Sequence, residues 1–208
     1  MKIYLPITLT LLLFLSCKKE FIVVSNDVSD VNDLKTKIQV QNKYTKYDSL
    51  FKKHKEFIAK DFDFPVGKPN TKGYYNAQKF TENNHLGDDW NGVGGGNSDL
   101  GDAIFSIANG YVSFADDIGG GWGNVIRIIH QYKGNYYESV YAHCQTIKVK
   151  EGHFIKKGEL IATIGNADGI YYAHLHLEIR DDIFMDIGGG YSEDVKGYID
   201  PTKFIKEN

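Results

Sequence analysis

The sequence is poor in cysteine and proline, and each shortage narrows the choice of structures. Among 208 residues there are 2 cysteines and 4 prolines. The two cysteines, Cys17 and Cys144, cannot supply the disulfide framework that stabilises many small secreted domains. Paired cysteine ligands are missing as well, which excludes a structural zinc ribbon. The apolar fraction of 42% and the charged fraction of 25% are those of an ordinary globular protein.

The chain also lacks a strong charge of either sign. Its formal net charge is −3, and the two lysines at positions 18 and 19 begin no longer basic run. Proteins that bind nucleic acid usually carry a basic patch, so we expect no nucleic-acid partner. Glycine is abundant at 22 residues, beside 14 tyrosines and 12 phenylalanines. This composition is typical of many short strands joined by glycine-containing turns.

The one long apolar run lies at the N-terminus. Lys2 precedes the run from Ile3 to Leu15, which is shorter than the ~20 residues of a membrane-spanning helix and fits a secretory signal peptide. Ser16-Cys17 follows directly and resembles a bacterial lipoprotein cleavage site. We therefore expect residues 1–16 to be a lipoprotein signal peptide. The lipidated Cys17 would then anchor the protein to a membrane of the cell envelope, facing the periplasm. The alternative is a plain signal peptide with an incidental cysteine.

Residues 17–60 form a segment of different composition. From residue 18 to 60 there is no glycine, and lysine, aspartate and asparagine are frequent. We interpret the first part as a tether. From Asp30 to Lys60, apolar residues recur at spacings of three and four, which predicts one or two amphipathic helices. The pattern leaves open whether this helical extension packs on the following domain or acts as a spacer.

Residues 61–208 are expected to form the main domain. Short runs that alternate apolar and polar residues are separated by turns such as Lys133-Gly134-Asn135, which favours antiparallel hairpins. The fold class is therefore mainly β, an antiparallel β-sheet with an N-terminal helical extension. The candidate strands are Ala103–Ala108, Tyr111–Ala115, Gly123–His130, Tyr136–His143, Thr146–Val149, Leu160–Ile164 and Ala173–Arg180.

The last of these strands carries residues suited to metal binding. In a strand, alternate side chains point to opposite faces, so His174, His176 and Glu178 share one face and the intervening Leu175 and Leu177 share the other. Two imidazoles side by side suit a metal, since neutral histidine is among the commonest zinc ligands.

His85 and Asp89 supply the partners that this strand needs. Gly87 between them argues against a helix, and residues four apart in an extended segment project to the same side. One imidazole and one carboxylate, with a third ligand from the His174/His176 strand, leave the fourth position open. Three protein ligands and an open position are the arrangement of a catalytic zinc site.

Taken in order, these residues resemble the lysostaphin-like (LytM-type) zinc endopeptidases, which cut peptidoglycan peptides. The resemblance runs from about residue 61 to 205. It is carried by His85-x-x-x-Asp89, Tyr141-Ala142-His143 and His174-Leu175-His176, and by the segments Ile107–Val112, Gly121–His130, Lys156–Gly165 and Ile199–Pro201.

The resemblance implies a duplicated-hybrid-motif fold with a zinc ion (Zn2+) held by His85, Asp89 and His176. It implies that His143 and His174 are catalytic, one as the general base for water and one as a donor to the oxyanion, in an order left open. The implied enzyme is a zinc metalloendopeptidase that hydrolyses peptide bonds in peptidoglycan stems or cross-links, and we assume a monomer. The alternative is a non-catalytic relative that activates another cell-wall hydrolase; the presence of all five residues favours the enzyme.

Several neighbouring residues allow two interpretations. Glu178 either orients His176 or is a plain solvent-facing carboxylate. The glycine-rich segment of residues 90–102 either lines the substrate groove or is a floppy surface loop. Cys144 beside His143 suggests a cysteine nucleophile, but free cysteine is usually a small buried hydrophobe. Tyr141 is expected to share a strand face with His143 and to help shape the site.

Overall fold

The computed structural model describes residues 28–208, except for the side chains of residues 28–31 and 38–42. The predicted signal peptide, Cys17 and most of the predicted tether lie outside the described residues. Within the described part, no helix has the length and apolar character needed to cross a bilayer. The chain divides between Lys46 and Tyr47 into two compact units.

A single helix, α1, spans Val28–Lys53 and confirms the helical prediction for most of its length. In the first unit, Leu34 on this helix is 58% exposed. In the second unit, Tyr47 and Phe51 are buried, and the Phe51 ring lies 5.8 Å from that of Phe154. The last turns of α1 therefore belong to the core of the β domain, although the sequence assigns them to the extension.

Ten strands form one sheet in the described part of the chain. Short helical turns lie at Lys55–Phe57, Gly67–Thr71 and Glu82–Asn84, and a C-terminal helix, α2, spans Pro201–Glu207. The strands are β1 Tyr74–Gln78, β2 Asp88–Gly92, β3 Ala103–Phe105, β4 Gly110–Asp117, β5 Asn124–Tyr132, β6 Asn135–Ile147, β7 Phe154–Ile155, β8 Leu160–Ile164, β9 Leu175–Arg180 and β10 Tyr198–Ile199.

Every strand pair is antiparallel, which confirms the predicted fold class. The main strand order is β1-β2-β9-β6-β5-β4-β7, with β10 beside β9 and β8 joining β6 to β3. Leu175, Leu177 and Ile179 of β9 lie in the hydrophobic core. The face of β9 that carries the leucines is thus the core face, as its alternation predicts.

The strand boundaries differ from the prediction at two places. The predicted strand Thr146–Val149 is not separate, because β6 continues through Ile147 and bends from β5 onto β8. The predicted strand Ala103–Ala108 ends at Phe105, and the following backbone bonds to a turn instead, with the Ser106 amide donating to the Glu159 carbonyl. Strands β1, β2, β7 and β10 were not among the predicted strands.

Candidate metal centre

Three side-chain atoms converge at one point beside β9. The Nε2 atom of His85 lies 3.0 Å from Nδ1 of His176 and 3.3 Å from Oδ1 of Asp89. The last side of the triangle, from Nδ1 of His176 to Oδ1 of Asp89, is 2.9 Å. This is the one group of three or more metal-ligand side chains found among the described residues.

The donor set and its spacing fit a zinc ion. Zinc binds nitrogen and oxygen ligands at about 2.0–2.2 Å in tetrahedral geometry, which places neighbouring ligand atoms about 3.3 Å apart. The observed triangle has sides of 2.9–3.3 Å, close to one face of such a tetrahedron. Two imidazole nitrogens and one carboxylate oxygen are also a common ligand set of catalytic zinc.

Strand register brings two of the three residues together. Asp89 of β2 pairs directly with His176 of β9, and directly opposed side chains on one face lie within contact distance. His85 precedes β2 and forms an isolated β-bridge with Tyr191. The neighbouring Leu86 amide donates to the Gly190 carbonyl at 2.9 Å. A loop from the distant end of the chain therefore holds the segment that carries His85.

Gly87 permits the close approach of β2 to β9. A Cβ atom at this position would lie 2.5 Å from the Leu177 carbonyl oxygen and 2.9 Å from Cε1 of His176. The backbone angle of Gly87 is not in the left-handed region, so the requirement is for space. The sequence pattern His85-x-Gly87-x-Asp89 thus contains the residue that lets the candidate ligands meet.

Glu178 and Arg180 lie behind His176 on the same strand. Nε2 of His176 is 3.1 Å from Oε1 of Glu178, and both Nε and Nη2 of Arg180 donate to the other carboxylate oxygen of Glu178. Glu178 and Arg180 are both fully buried. The interpretation of Glu178 as a solvent-facing carboxylate is therefore wrong, because the polar face of β9 is covered.

The pKa values of the candidate ligands Asp89 and His176 reflect the contact between these two side chains. Burial alone would raise the pKa of Asp89, but hydrogen bonds from His176 and His85 outweigh it and hold that pKa well below its usual range. Burial alone would lower the pKa of His176, but hydrogen bonds to Asp89 and Glu178 raise it to about 9. In the absence of a cation, the negative charge of Asp89 thus favours a proton on the imidazole beside it.

His143 and His174 lie beside the triangle. Their ring centroids are 4.6 Å apart, and the His143 ring is 5.7 Å from that of His176. His174 Nδ1 lies 2.8 Å from the Tyr172 carbonyl, which can only accept, so this nitrogen carries the proton. This tautomer leaves Nε2 of His174 as the acceptor nitrogen of the ring, 3.8 Å from Oδ1 of Asp89.

His143 occupies an unusual backbone conformation. Its φ is +58°, in the left-handed region, and its amide donates to the Trp122 carbonyl at 3.0 Å. Burial, with smaller contributions from His176 and His174, lowers the pKa of His143 to about 3, so the ring is neutral near pH 7. Its Nδ1 has no hydrogen-bond partner among the described residues.

This conformation corrects the prediction for Tyr141. Alternation placed Tyr141 and His143 on one face, but Tyr141 is fully buried in the core, where its hydroxyl accepts from the Ile107 amide at 3.0 Å. The irregular register of β6 at this point shifts the alternation by one residue. Cys144 consequently lies in the same core as Tyr141. Cys144 is buried, and burial raises the pKa of its thiol to about 12, so both observations disfavour the cysteine-nucleophile interpretation.

An open groove leads to the candidate metal centre. One cavity of about 440 Å³ contains the triangle together with His143 and His174, and an adjoining cavity of about 660 Å³ shares Asp89 and His174 with it. The glycine-rich segment contributes Asn97 to the second cavity. Asn97 Oδ1 accepts from the Ala173 amide at 2.8 Å. The segment therefore lines the groove, and the alternative of a loop without fixed contacts is wrong.

Four residues of the groove were not predicted from the sequence. Trp122 lies edge-on to His176 at 5.4 Å and donates through its indole N–H to the Gly188 carbonyl at 3.1 Å. Tyr171 stands 5.2 Å from His143, and Tyr191 stands 5.1 Å from His85 and donates to Oε1 of Gln78 at 2.9 Å. Trp122 and Tyr191 each directly follow three consecutive glycines, which was the available signal; Tyr171 and Gln78 gave none.

His130, which received no role from its sequence, has a structural one. It is 1% exposed, and its ring nitrogens contact the Asn109 carbonyl at 2.8 Å and the Ser139 hydroxyl at 2.7 Å. Burial lowers the pKa of His130 to about 4. It is not among the residues that line the groove.

Fold and site together define the class of protein: a mainly antiparallel β domain with a His-Asp-His candidate metal centre in an open groove. A model of the family described as "Peptidase family M23" matches residues 89–187. "Lipoprotein NlpD" of Yersinia enterocolitica is 42% identical over 80 residues, which are 38% of this chain and 78% of that protein. The chain belongs to peptidase family M23, which confirms the resemblance drawn from the sequence motifs.

Two further comparisons concern how far the similarity to other proteins extends. "Murein hydrolase activator NlpD" of Escherichia coli (strain K12) is 41% identical over 80 residues, which are 38% of this chain but only 20% of that protein. The structure titled "Structure of the SpoIIQ-SpoIIIAH pore forming complex" matches with a TM-score of 0.51 at 18% identity, covering 70% of this chain and 90% of that one. At that identity the likeness supports the fold alone.

Proposed function

We propose that this protein is a zinc-dependent endopeptidase that hydrolyses peptide bonds in the stems or cross-links of peptidoglycan. The observation that carries the proposal is the triangle of His85, Asp89 and His176 with two further imidazoles beside it. A zinc ion bound there would supply a water nucleophile at neutral pH and polarise the carbonyl of the peptide.

The geometry also supports a division of roles between the two remaining histidines. His174 keeps Nε2 as an acceptor, since its Nδ1–H is used by the Tyr172 carbonyl, and this suits a general base. His143 is neutral and buried, so it suits a ring N–H donor to the negatively charged oxygen of the transition state. Both residues line the same cavity as the three candidate ligands.

A location in the cell envelope supports the choice of substrate. The expected signal peptide and lipidated Cys17 would tether the protein to a membrane near the wall, and the Yersinia relative is itself named a lipoprotein. The open groove suits an extended peptide, because it continues past the triangle between Asn97 and the exposed Tyr172.

A second candidate function is activation of another murein hydrolase. The name of the Escherichia coli relative favours it directly, and by name alone the relatives favour the activator over the peptidase. The peptidase is our first proposal because an activator needs no metal centre, whereas this chain keeps three candidate ligands and two adjacent histidines in contact geometry.

Digestion of purified peptidoglycan separates the two functions. The zinc-loaded full chain should release peptide amino groups without any added hydrolase, and a chelator or His176→Ala should abolish the release. His143→Ala should abolish release while zinc stays bound. His153→Ala, which changes an exposed histidine, is the control and should keep wild-type activity.

The opposite pattern identifies the activator. The peptidase proposal is wrong if the wild type releases nothing by itself but accelerates an added amidase, and if the His143→Ala variant accelerates that amidase equally well. Full activity in His176→Ala would contradict the assignment of that residue as a ligand.

A further inference from the structure

Behind the candidate metal centre lies a row of buried charges. Glu178 and Arg180 are fully buried, and Glu138 is 1% exposed. Arg180 Nη1 lies 3.8 Å from Oε2 of Glu138, and the two carboxylate oxygens of Glu138 accept one hydrogen bond each from Nε and Nη2 of Arg127. Replacing buried ion pairs by apolar residues is often neutral or even stabilising, so fold stability alone is a weak reason for this cluster.

Arg180 makes contacts in two directions. Along its own strand, β9, it donates two hydrogen bonds to Oε2 of Glu178. The other oxygen of Glu178, Oε1, contacts Nε2 of His176. Toward the following loop Arg180 donates to the Asp186 carbonyl at 3.0 Å and to the Ile187 carbonyl at 2.8 Å. Arginine suits this position because its planar guanidinium offers five donors in a fixed arrangement.

The loop that Arg180 holds leads to the other histidine of the triangle. Three residues beyond Ile187, the Gly190 carbonyl accepts from the Leu86 amide, and Tyr191 forms the β-bridge to His85. The indole N–H of Trp122 fixes the same loop at the Gly188 carbonyl. One guanidinium is therefore connected to His176 through Glu178 and to His85 through the backbone of residues 186–191.

We propose that Arg180 is a positioning residue for the metal centre, fixing the ring of His176 through Glu178 and the segment of His85 through the 186–191 loop. The inference rests on the metal site proposed above. Carboxylates that accept a hydrogen bond from a metal-binding histidine fix which ring nitrogen faces the metal. Here Glu178 accepts from Nε2 and leaves Nδ1 to face Asp89 and His85.

Three variants of the full chain test the proposal. Arg180→Lys keeps the positive charge but loses the fixed arrangement of donors, and Glu178→Gln keeps the shape but loses the carboxylate charge. His130→Gln is the control, because it disturbs a buried histidine that does not line the groove. The measurements are the zinc dissociation constant by chelator competition and the ¹⁵N-detected Nε2–H resonance of His176 in metal-free protein.

We expect Glu178→Gln and Arg180→Lys each to weaken zinc binding by about 10- to 100-fold, and His130→Gln to leave it within about twofold. In the metal-free wild type, the His176 Nε2–H should resonate far downfield, because its acceptor is charged, and Glu178→Gln should move it upfield. Arg180→Lys should in addition increase amide exchange at Leu86, the outcome specific to the loop connection.

Zinc affinities within twofold of wild type in both variants would overturn the proposal. Equal weakening in His130→Gln would also overturn it, since general destabilisation would then explain the loss. If Arg180→Lys does not fold, Glu178→Gln and the wild-type resonance still decide, and an upfield Nε2–H in the wild type overturns the proposal without any variant. If the wild type shows the downfield resonance but binds no zinc, the proposed function fails, while the connection of Arg180 to His176 stands.

Discussion

Replacing Gly87 by alanine should damage both the stability of the domain and the candidate metal centre. The added Cβ would lie 2.5 Å from the Leu177 carbonyl oxygen, 2.9 Å from Cε1 of His176 and 3.0 Å from Cγ of Glu178. An ordinary C···O contact is about 3.4 Å, so β2 and β9 would have to separate by about 0.9 Å. The nearest atom belongs to the backbone and cannot turn aside as a side-chain end could.

The magnitude follows from this separation. Overpacking of a tightly packed interior costs about 1–3 kcal/mol, and a clash with backbone places Gly87→Ala near the upper end. Metal sites tolerate about 0.2 Å of error in ligand distances, so a displacement several times larger between Asp89 and His176 should weaken zinc binding about 100-fold.

Urea unfolding and chelator competition measure the two effects. Gly189→Ala is the matched control, because Gly189 has no left-handed backbone angle and no heavy atom within 4 Å of an added Cβ. Its free energy of unfolding should stay the same or rise by up to about 1 kcal/mol. If Gly87→Ala matches Gly189→Ala in both stability and zinc affinity, the close approach of β2 and β9 is not what assembles the site.

Two further predictions concern His130 and Asn97. The pKa of His130 is about 4 in the folded protein and about 6.5 in the unfolded chain, so between these values only the unfolded chain binds the proton. The wild type should therefore lose about 3 kcal/mol of stability as the pH falls from 6.5 to 4, and His130→Gln should lose correspondingly less in urea titrations at both pH values; parallel losses would contradict the pKa. Asn97→Ala removes the hydrogen bond to the Ala173 amide, and it should cost about 1 kcal/mol and raise KM more than it lowers kcat in peptide-release kinetics. An unchanged KM would argue that the glycine-rich segment does not contact substrate.

The sequence predicts those parts of the site that depend on local periodicity. Strand alternation depends only on neighbouring residues, so the separation of His174, His176 and Glu178 from the core leucines could be read directly. The same holds for His85 and Asp89, which lie on one short segment. That all of these meet at one point follows from strand pairing, which the family resemblance supplied and the local pattern did not.

The parts that were missed depend on long-range contacts or on single backbone angles. Tyr191 reaches His85 from more than one hundred residues away through a loop that carries no periodic signal. Arg180 read as the polar end of a strand, and its burial depends on the loop that folds over it. Tyr141 was assigned to the wrong face because one residue, His143, adopts a left-handed angle that no sequence pattern indicates.

The left-handed backbone at His143 leads to a prediction about the strain at this position. Holding a non-glycine residue in this region costs about 1–2 kcal/mol, and such strain is concentrated at functional sites. Gly165 leaves the space that this backbone conformation needs, because a Cβ at position 165 would lie only 2.3 Å from the His143 carbonyl oxygen.

His143→Gly and His143→Ala remove the same ring and differ mainly in backbone strain. At an ordinary strand position, alanine is more stable than glycine by about 0.5–1 kcal/mol. At position 143, with φ of +58°, the order should reverse, and the glycine variant should be more stable by about 1 kcal/mol in urea unfolding. Both variants should bind zinc and lack peptidase activity. If the alanine variant is the more stable one, the backbone at position 143 is not strained. The proposal that strain at this position serves catalysis is then wrong.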